Sequence, residues 1–221
     1  MANSEGSGAP NRRPIATRRW QVFQRLARWL ADIGVTPNAI SCSSIVFAAG
    51  AATAFVGASY ADSEVLRAAA MLIATGMIQL RLIANLLDGL VAVEGGKATP
   101  TGDLYNEVPD RIADTLILVG AGFAPSGTPW LGAAAAIAAM FVAYVRAMGA
   151  SLGVGQVFAG PMAKQHRMAV TTVATLASVP PITYSQHFLP IALAIIALGS
   201  LLTAWRRLRI IAARLGEAKQ P

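Results

Sequence analysis

Apolar runs with few or no charged residues recur along this chain. They lie at about Asn38 to Tyr60, Val65 to Val93, Val108 to Phe123, Trp130 to Leu152, Met168 to Ile182 and Phe188 to Trp205. Several approach or exceed the ~18–20 residues that a helix needs to cross ~30 Å of hydrocarbon. They are too many to be a single anchor. Only 13% of the 221 residues are charged, about half the share of an ordinary soluble domain. The expected fold class is therefore all-α, a polytopic membrane protein with six transmembrane helices. No internal sequence repeat divides it into related halves.

The flanks of these runs organise the rest. Residues 1–17 are polar and rich in Gly, Ser, Pro and Asn, with no apolar stretch before a cleavage site, and read as a disordered N-terminal tail rather than a signal peptide. Over 18–35, Arg18, Arg19, Arg25 and Arg28 alternate with Trp20, Val22, Phe23, Leu26, Trp29 and Leu30. That pattern predicts an interfacial amphipathic helix in the headgroup layer. Thr36-Pro37-Asn38 ends it and opens the first span, with Pro37 suited to a first helical turn. The spans occupy 36–206, and 207–221 form a basic C-terminal tail.

The net charge of +7 sits beside the apolar runs, so it argues for orientation and anionic lipid and against a nucleic-acid partner. The segments 60–64, 124–129 and 183–187 contain no Lys or Arg, whereas Arg12 to Arg28, Lys97, Lys164, Arg167 and Arg206 to Arg214 fall on the other side. The positive-inside rule places both termini and the segments 94–107 and 153–167 in the cytoplasm, as for a bacterial inner-membrane protein. The single cysteine, Cys42, has no partner for a disulfide and reads as a small packing residue. Gly149-x-x-x-Gly153 is a weak signal for a homodimer contact.

Six of the eleven acidic residues, Asp88, Glu94, Asp103, Glu107, Asp110 and Asp114, fall between positions 88 and 114. Asn85 and Asp88 are three apart, and Asn106, Asp110 and Asp114 are four apart in turn, so each set lines one helix face. Two antiparallel helices can present these oxygens to one point, where a hard divalent cation, Mg2+ or Mn2+, relieves the repulsion between carboxylates. The segment from Glu94 to Gly102 is small and glycine-bearing, and would let a phosphate-bearing ligand come close. Glu94 and Asp103 read as solvated loop acids. Asp114 lies a turn inside an apolar helix, and Arg81 lies a turn deeper than Asn85. A buried structural ion pair between Arg81 and Asp114 stands ahead of metal ligation for that carboxylate. Arg146, Lys164 and Arg167 form a second, cationic group that reads either as an acceptor or phosphate-binding set or as topogenic charge. His166 lacks a second His or Cys at ligand spacing, so it is not read as a metal ligand.

The acidic stretch resembles the signature of the CDP-alcohol phosphotransferases, D-x2-D-G-x2-A-R-x8-G-x3-D-x3-D. Here it reads Asn85-Leu86-Leu87-Asp88-Gly89-Leu90-Val91-Ala92-Val93, then eight residues to Gly102, then Asn106 and Asp110. All spacings are retained, while Asn85, Asn106 and Val93 replace two aspartates and an arginine. The Thr36-Pro37-Asn38 opening is similar to the family's as well. The resemblance implies a catalytic membrane domain that transfers a phosphate-linked, commonly phosphatidyl, group from a CDP-linked lipid donor such as CDP-diacylglycerol to an alcohol acceptor. CMP is released, and the product enters phospholipid synthesis. It further implies a Mg2+ or Mn2+ site at Asp88 and Asp110, with Asn85 and Asn106 in the place of carboxylates and Glu107 able to compensate for one. Asp110 would be the catalytic base, and Asp88, Gly89, Ala92 and Gly102 would receive the CDP group. A non-catalytic lipid-binding relative is the alternative reading.

Overall fold

In the computed structural model the described residues are 21–94, 101–181 and 184–217, and they are helical with short connections. Seven helices follow one another: α1 (Gln21–Asp32), α2 (Pro37–Ser59), α3 (Glu64–Glu94), α4 (Gly102–Gly122), α5 (Pro129–Ser151), α6 (Lys164–Ala177) and α7 (Ser185–Glu217). By length and composition α2, α3, α5 and α7 can cross a membrane. The expected tail over 1–17 and the glycine-bearing stretch 95–100 lie outside the described residues.

Local chemistry explains the helix starts. Thr36 caps α2 with its hydroxyl accepting from Ala39 N–H at 3.2 Å, and Pro37 occupies the first turn, where its missing N–H costs nothing. α5 likewise begins on Pro129. Hydropathy places several ends differently from the backbone. α4 begins six residues ahead of the apolar run at Val108, because Asp103, Asn106 and Glu107 are polar yet helical. α6 starts at Lys164 and ends at Ala177, so the fifth run is displaced toward the N-terminus; its 14 residues span only ~21 Å. α7 continues past Trp205 through 207–217 without a break, so this part of the basic tail is helix.

α2 packs on α3 and α4, α5 packs on α4 and α7, α6 rests on α7 and α3, and α1 lies on α3. Phe55, Ile78, Ile117, Leu118, Met168, Leu189 and Leu193 meet in the main core. Small residues set the spacing of the helices. A Cβ on Gly120 would stand 2.6 Å from Ala52 Cα, and one on Gly132 would stand 2.7 Å from the Leu118 carbonyl oxygen. Such close backbone approach is how helices pack where no hydrophobic drive separates lipid from side chain. Large apolar side chains such as Val46, Ile73, Ile137, Ile195 and Leu198 are exposed on the outer faces.

Gly149 makes another such close approach. A Cβ there would meet Ile211 Cδ1 at 2.8 Å, and Gly153 has φ +75 in the turn beyond α5. Gly149 therefore packs within the chain, and Gly153 belongs to a turn rather than to the helix.

Candidate active site

One end of the bundle gathers the polar residues. The carboxylate of Asp88 comes from the last turns of α3, and Asp110 comes from the third turn of α4. Ser41 comes from the start of α2, Lys164 is the first residue of α6, and Arg146 lies near the end of α5. Because successive helices alternate direction, N-terminal ends of α2, α4 and α6 meet C-terminal parts of α3 and α5.

Asp110, nearly buried, is the hub. Its Oδ1 accepts from the Asn85 amide and from Arg81 Nη2 at 3.3 Å, and its Oδ2 accepts from the Lys164 ammonium. Asp88 is also buried, and its Oδ2 accepts from the Ser41 hydroxyl at 2.6 Å. Both Lys164 and Asp110 lie within electrostatic reach of it. Beneath them Asp114 is held by two guanidiniums, Arg81 at 2.6 Å and Arg167 at 2.8 Å. At the rim Glu107 accepts from Arg146 and, across one helical turn, from Arg111 at 3.3 Å. Phe158 lies against the Arg146 guanidinium, 5.9 Å from ring centroid to carbon.

Asn85, Asp88 and Asp110 thus come together as their spacing suggested, and Arg81 meets Asp114. Glu107 stands at the edge with Arg146, and Asn106 is half-buried on the same helix. Gly89, Ala92 and Gly102 are half-buried too, while Val93 is exposed. His166 turns to the Pro161 carbonyl at 2.6 Å.

Arg167 departs from its expected role at a phosphate. It is 1% exposed and spends its guanidinium on Asp114 and, at 3.1 Å, the Met162 carbonyl, so it belongs to the buried ladder. Ser41 and Arg111 were not anticipated. Ser41 lies one turn past the Thr36 cap, on a helix remote in sequence from Asp88. Arg111 was detectable as the i,i+4 partner of Glu107.

For a metal, the cluster offers hard oxygens: carboxylates from Asp88 and Asp110 and the amide oxygen of Asn85, with Asn106 one turn before Asp110 on α4. Among the described residues, no group of three or more His, Cys, Asp or Glu is placed to hold an ion. This donor set fits Mg2+ or Mn2+ that keeps several of its waters, and does not fit a cage of protein carboxylates.

Comparison with known proteins adds to this geometry. A phosphatidylinositol phosphate synthase from Streptomyces avermitilis is 30% identical over 156 residues, covering 65% of this chain. The fold matches the Mycobacterium tuberculosis phosphatidylinositol phosphate synthase PgsA1 crystallised with CDP-DAG, with a TM-score of 0.73 at 19% identity over 87% of this chain and 94% of that one. The chain shares the fold of these enzymes. Its match spans 63% of the length of the Streptomyces relative. The same enzyme from M. tuberculosis in complex with manganese and citrate gives a TM-score of 0.72, also at 19% identity, over 86% and 88% of the two chains. No protein-family model matches this chain. The chain keeps the spacing of the CDP-alcohol phosphotransferase signature and departs from it in charge.

Proposed function

We propose that this protein transfers a phosphatidyl group from CDP-diacylglycerol to an alcohol, releasing CMP, in phospholipid synthesis. The observation that carries the reading is the meeting of Asp88 and Asp110 from two helices at one end of the bundle, in the register of the family signature. The kinship to phosphatidylinositol phosphate synthases favours a phosphorylated alcohol, inositol phosphate first, as acceptor.

Asp88 and Asp110 would hold Mg2+ or Mn2+, assisted by the amide oxygens of Asn85 and Asn106. When bound, such an ion would supply charge neutralisation for the pyrophosphate and the departing CMP. The chain's own residues supply the rest. Ser41 orients the Asp88 carboxylate by its 2.6 Å hydrogen bond. Asn85 presents its NH2 to Asp110, which leaves its carbonyl oxygen as the atom available to a ligand. The Asp110 carboxylate would take the proton of the attacking hydroxyl, held ready by Arg81 and Lys164. Gly89, Ala92 and Gly102 leave room for the nucleotide. At the rim two guanidiniums, Arg146 and Arg111, share one carboxylate, Glu107. The unbalanced positive charge suits the phosphate of the acceptor.

In the membrane we propose six spans, with α4 and α6 joining α2, α3, α5 and α7. α1 would lie in the headgroup layer, and the termini and the site would face the cytoplasm of a bacterial inner membrane. Basic segments on one side, and 60–64 and 124–129 without Lys or Arg on the other, support this orientation.

The test is CMP release from CDP-diacylglycerol by the purified chain over a panel of inositol phosphate, glycerol phosphate, inositol, glycerol and serine, with and without Mg2+ or Mn2+. Metal-dependent release stimulated by a phosphorylated alcohol supports the reading. Tight CDP-diacylglycerol binding without release under any acceptor would favour a non-catalytic relative.

A further inference from the structure

The family signature carries four carboxylates where this chain has two carboxylates and two amides, so the charge that would hold metal ions is halved. The structure shows what replaces it. Both oxygens of Asp110 are already engaged by groups of the chain itself, Oδ1 by Asn85 and Arg81 and Oδ2 by the Lys164 ammonium. An aspartate at position 85 would set a carboxylate against Asp110 Oδ1, a repulsion that an additional cation would have to relieve. Asparagine turns that contact into a hydrogen bond. The inner carboxylates are then offset without any ion. Asp88, Asp110 and Asp114 carry three negative charges, Arg81, Lys164 and Arg167 carry three positive ones, and Arg111, shared with Glu107, adds a further cation 3.8 Å from Asp110 Oδ2. One divalent ion facing a donor pyrophosphate keeps that offset, whereas two leave excess positive charge in a poorly solvated site.

Lys164 is also built in. The strap that leads to it is fastened to α7 and α6. Thr203 Oγ1 accepts from Met162 N–H at 2.9 Å, and Arg167 donates to the Met162 carbonyl at 3.1 Å. Gly160 has φ +119, and a Cβ there would stand 2.4 Å from Thr203 Cγ2. The lysine therefore starts α6 from a fixed position with its ammonium on Asp110, unlike a surface lysine free to swing away.

We infer that the site takes one divalent ion per chain, and that the Lys164 ammonium stands in the place of a second cation beside Asp110. This rests on the reading of Asp88 and Asp110 as metal ligands.

The experiment is a Mn2+ titration of the full chain in detergent with stoichiometric CDP-diacylglycerol and no acceptor, counting bound ions by the loss of free Mn2+ electron paramagnetic resonance signal and subtracting the same titration of CDP-diacylglycerol in detergent alone. The wild type is expected to bind one ion. Asn85→Asp/Asn106→Asp with Lys164 present still binds one, and adding Lys164→Gln to that pair admits a second. Two ions on the wild type or on the double variant, or only one on the triple variant, would overturn the inference. Lys164→Gln alone, which keeps both amides, guards against misfolding of the triple variant. It is expected to tighten the single Mn2+ site on the order of tenfold by removing a neighbouring positive charge, and unchanged or weaker binding counts against the inference. No ion on the wild type would instead overturn the metal site itself, a separate failure of the underlying reading.

Discussion

Replacement of Asp114 by leucine tests the buried ladder under the site. Asp114 is 3% exposed and accepts from Arg81 at 2.6 Å and Arg167 at 2.8 Å, and both guanidiniums are essentially inaccessible. Among the described residues, loss of the carboxylate leaves Arg167 with the Met162 carbonyl and Arg81 with weaker contacts to Asp110, 3.3 Å to Oδ1 and 3.4 Å to the carbonyl oxygen. Breaking a buried pair from one side costs about 3–5 kcal/mol. At roughly 2–4 °C per kcal/mol for a chain of this size, the melting temperature should fall by roughly 6–20 °C. Because one carboxylate serves two arginines, Arg81→Leu/Asp114→Leu should recover only part of the loss. Arg81→Leu/Asp114→Leu/Arg167→Met, which removes every member, should approach the wild type. The assay is thermal unfolding in detergent across the single, double and triple variants. If the individual losses simply add, the three residues do not act as a unit and the account of the ladder fails.

Two other perturbations probe packing and orientation. Gly120→Ala should cost about 1–3 kcal/mol, because its Cβ meets the Ala52 backbone at 2.6 Å, while Gly57→Ala, with open space around it, should not lower the melting temperature; equal effects would refute the close α2–α4 approach. In a Cys42→Ser background, Asp103→Cys should react with an impermeant maleimide only from the cytoplasmic side and Asp62→Cys only from the outer side, and the reverse pattern would invert the topology.

The apolar runs made most helices legible, since ~20 residues of hydrocarbon-compatible sequence announce themselves. Their ends were less visible wherever a helix carries polar residues that bury against other helices. The extension of α7 past Trp205 escaped a hydropathy reading because Arg206, Arg207 and Arg209 look like a tail. Yet Arg207 is 5% exposed and donates to the Ala159 carbonyl at 3.0 Å and the Val142 carbonyl at 3.2 Å. The site shows the same division. Asn85, Asp88 and Asp110 were legible because helical spacing places them on facing surfaces. The contacts of Ser41 and Lys164 depend on how α2 and α6 pack, which no local pattern encodes. Arg167 resembled a loop cation from its neighbours in sequence, and its burial follows from the position of Asp114 on another helix.

The account stands most directly on Asp88, the signature carboxylate that α3 retains. Metal-dependent CMP release from CDP-diacylglycerol, measured on purified wild type and Asp88→Asn at matched melting temperature, is the measurement that tests it. The account predicts a loss on the order of 100-fold or more in the variant, the scale of removing a preorganised stabilising group, with the fold intact. Release at the wild-type rate with the same metal dependence would contradict it.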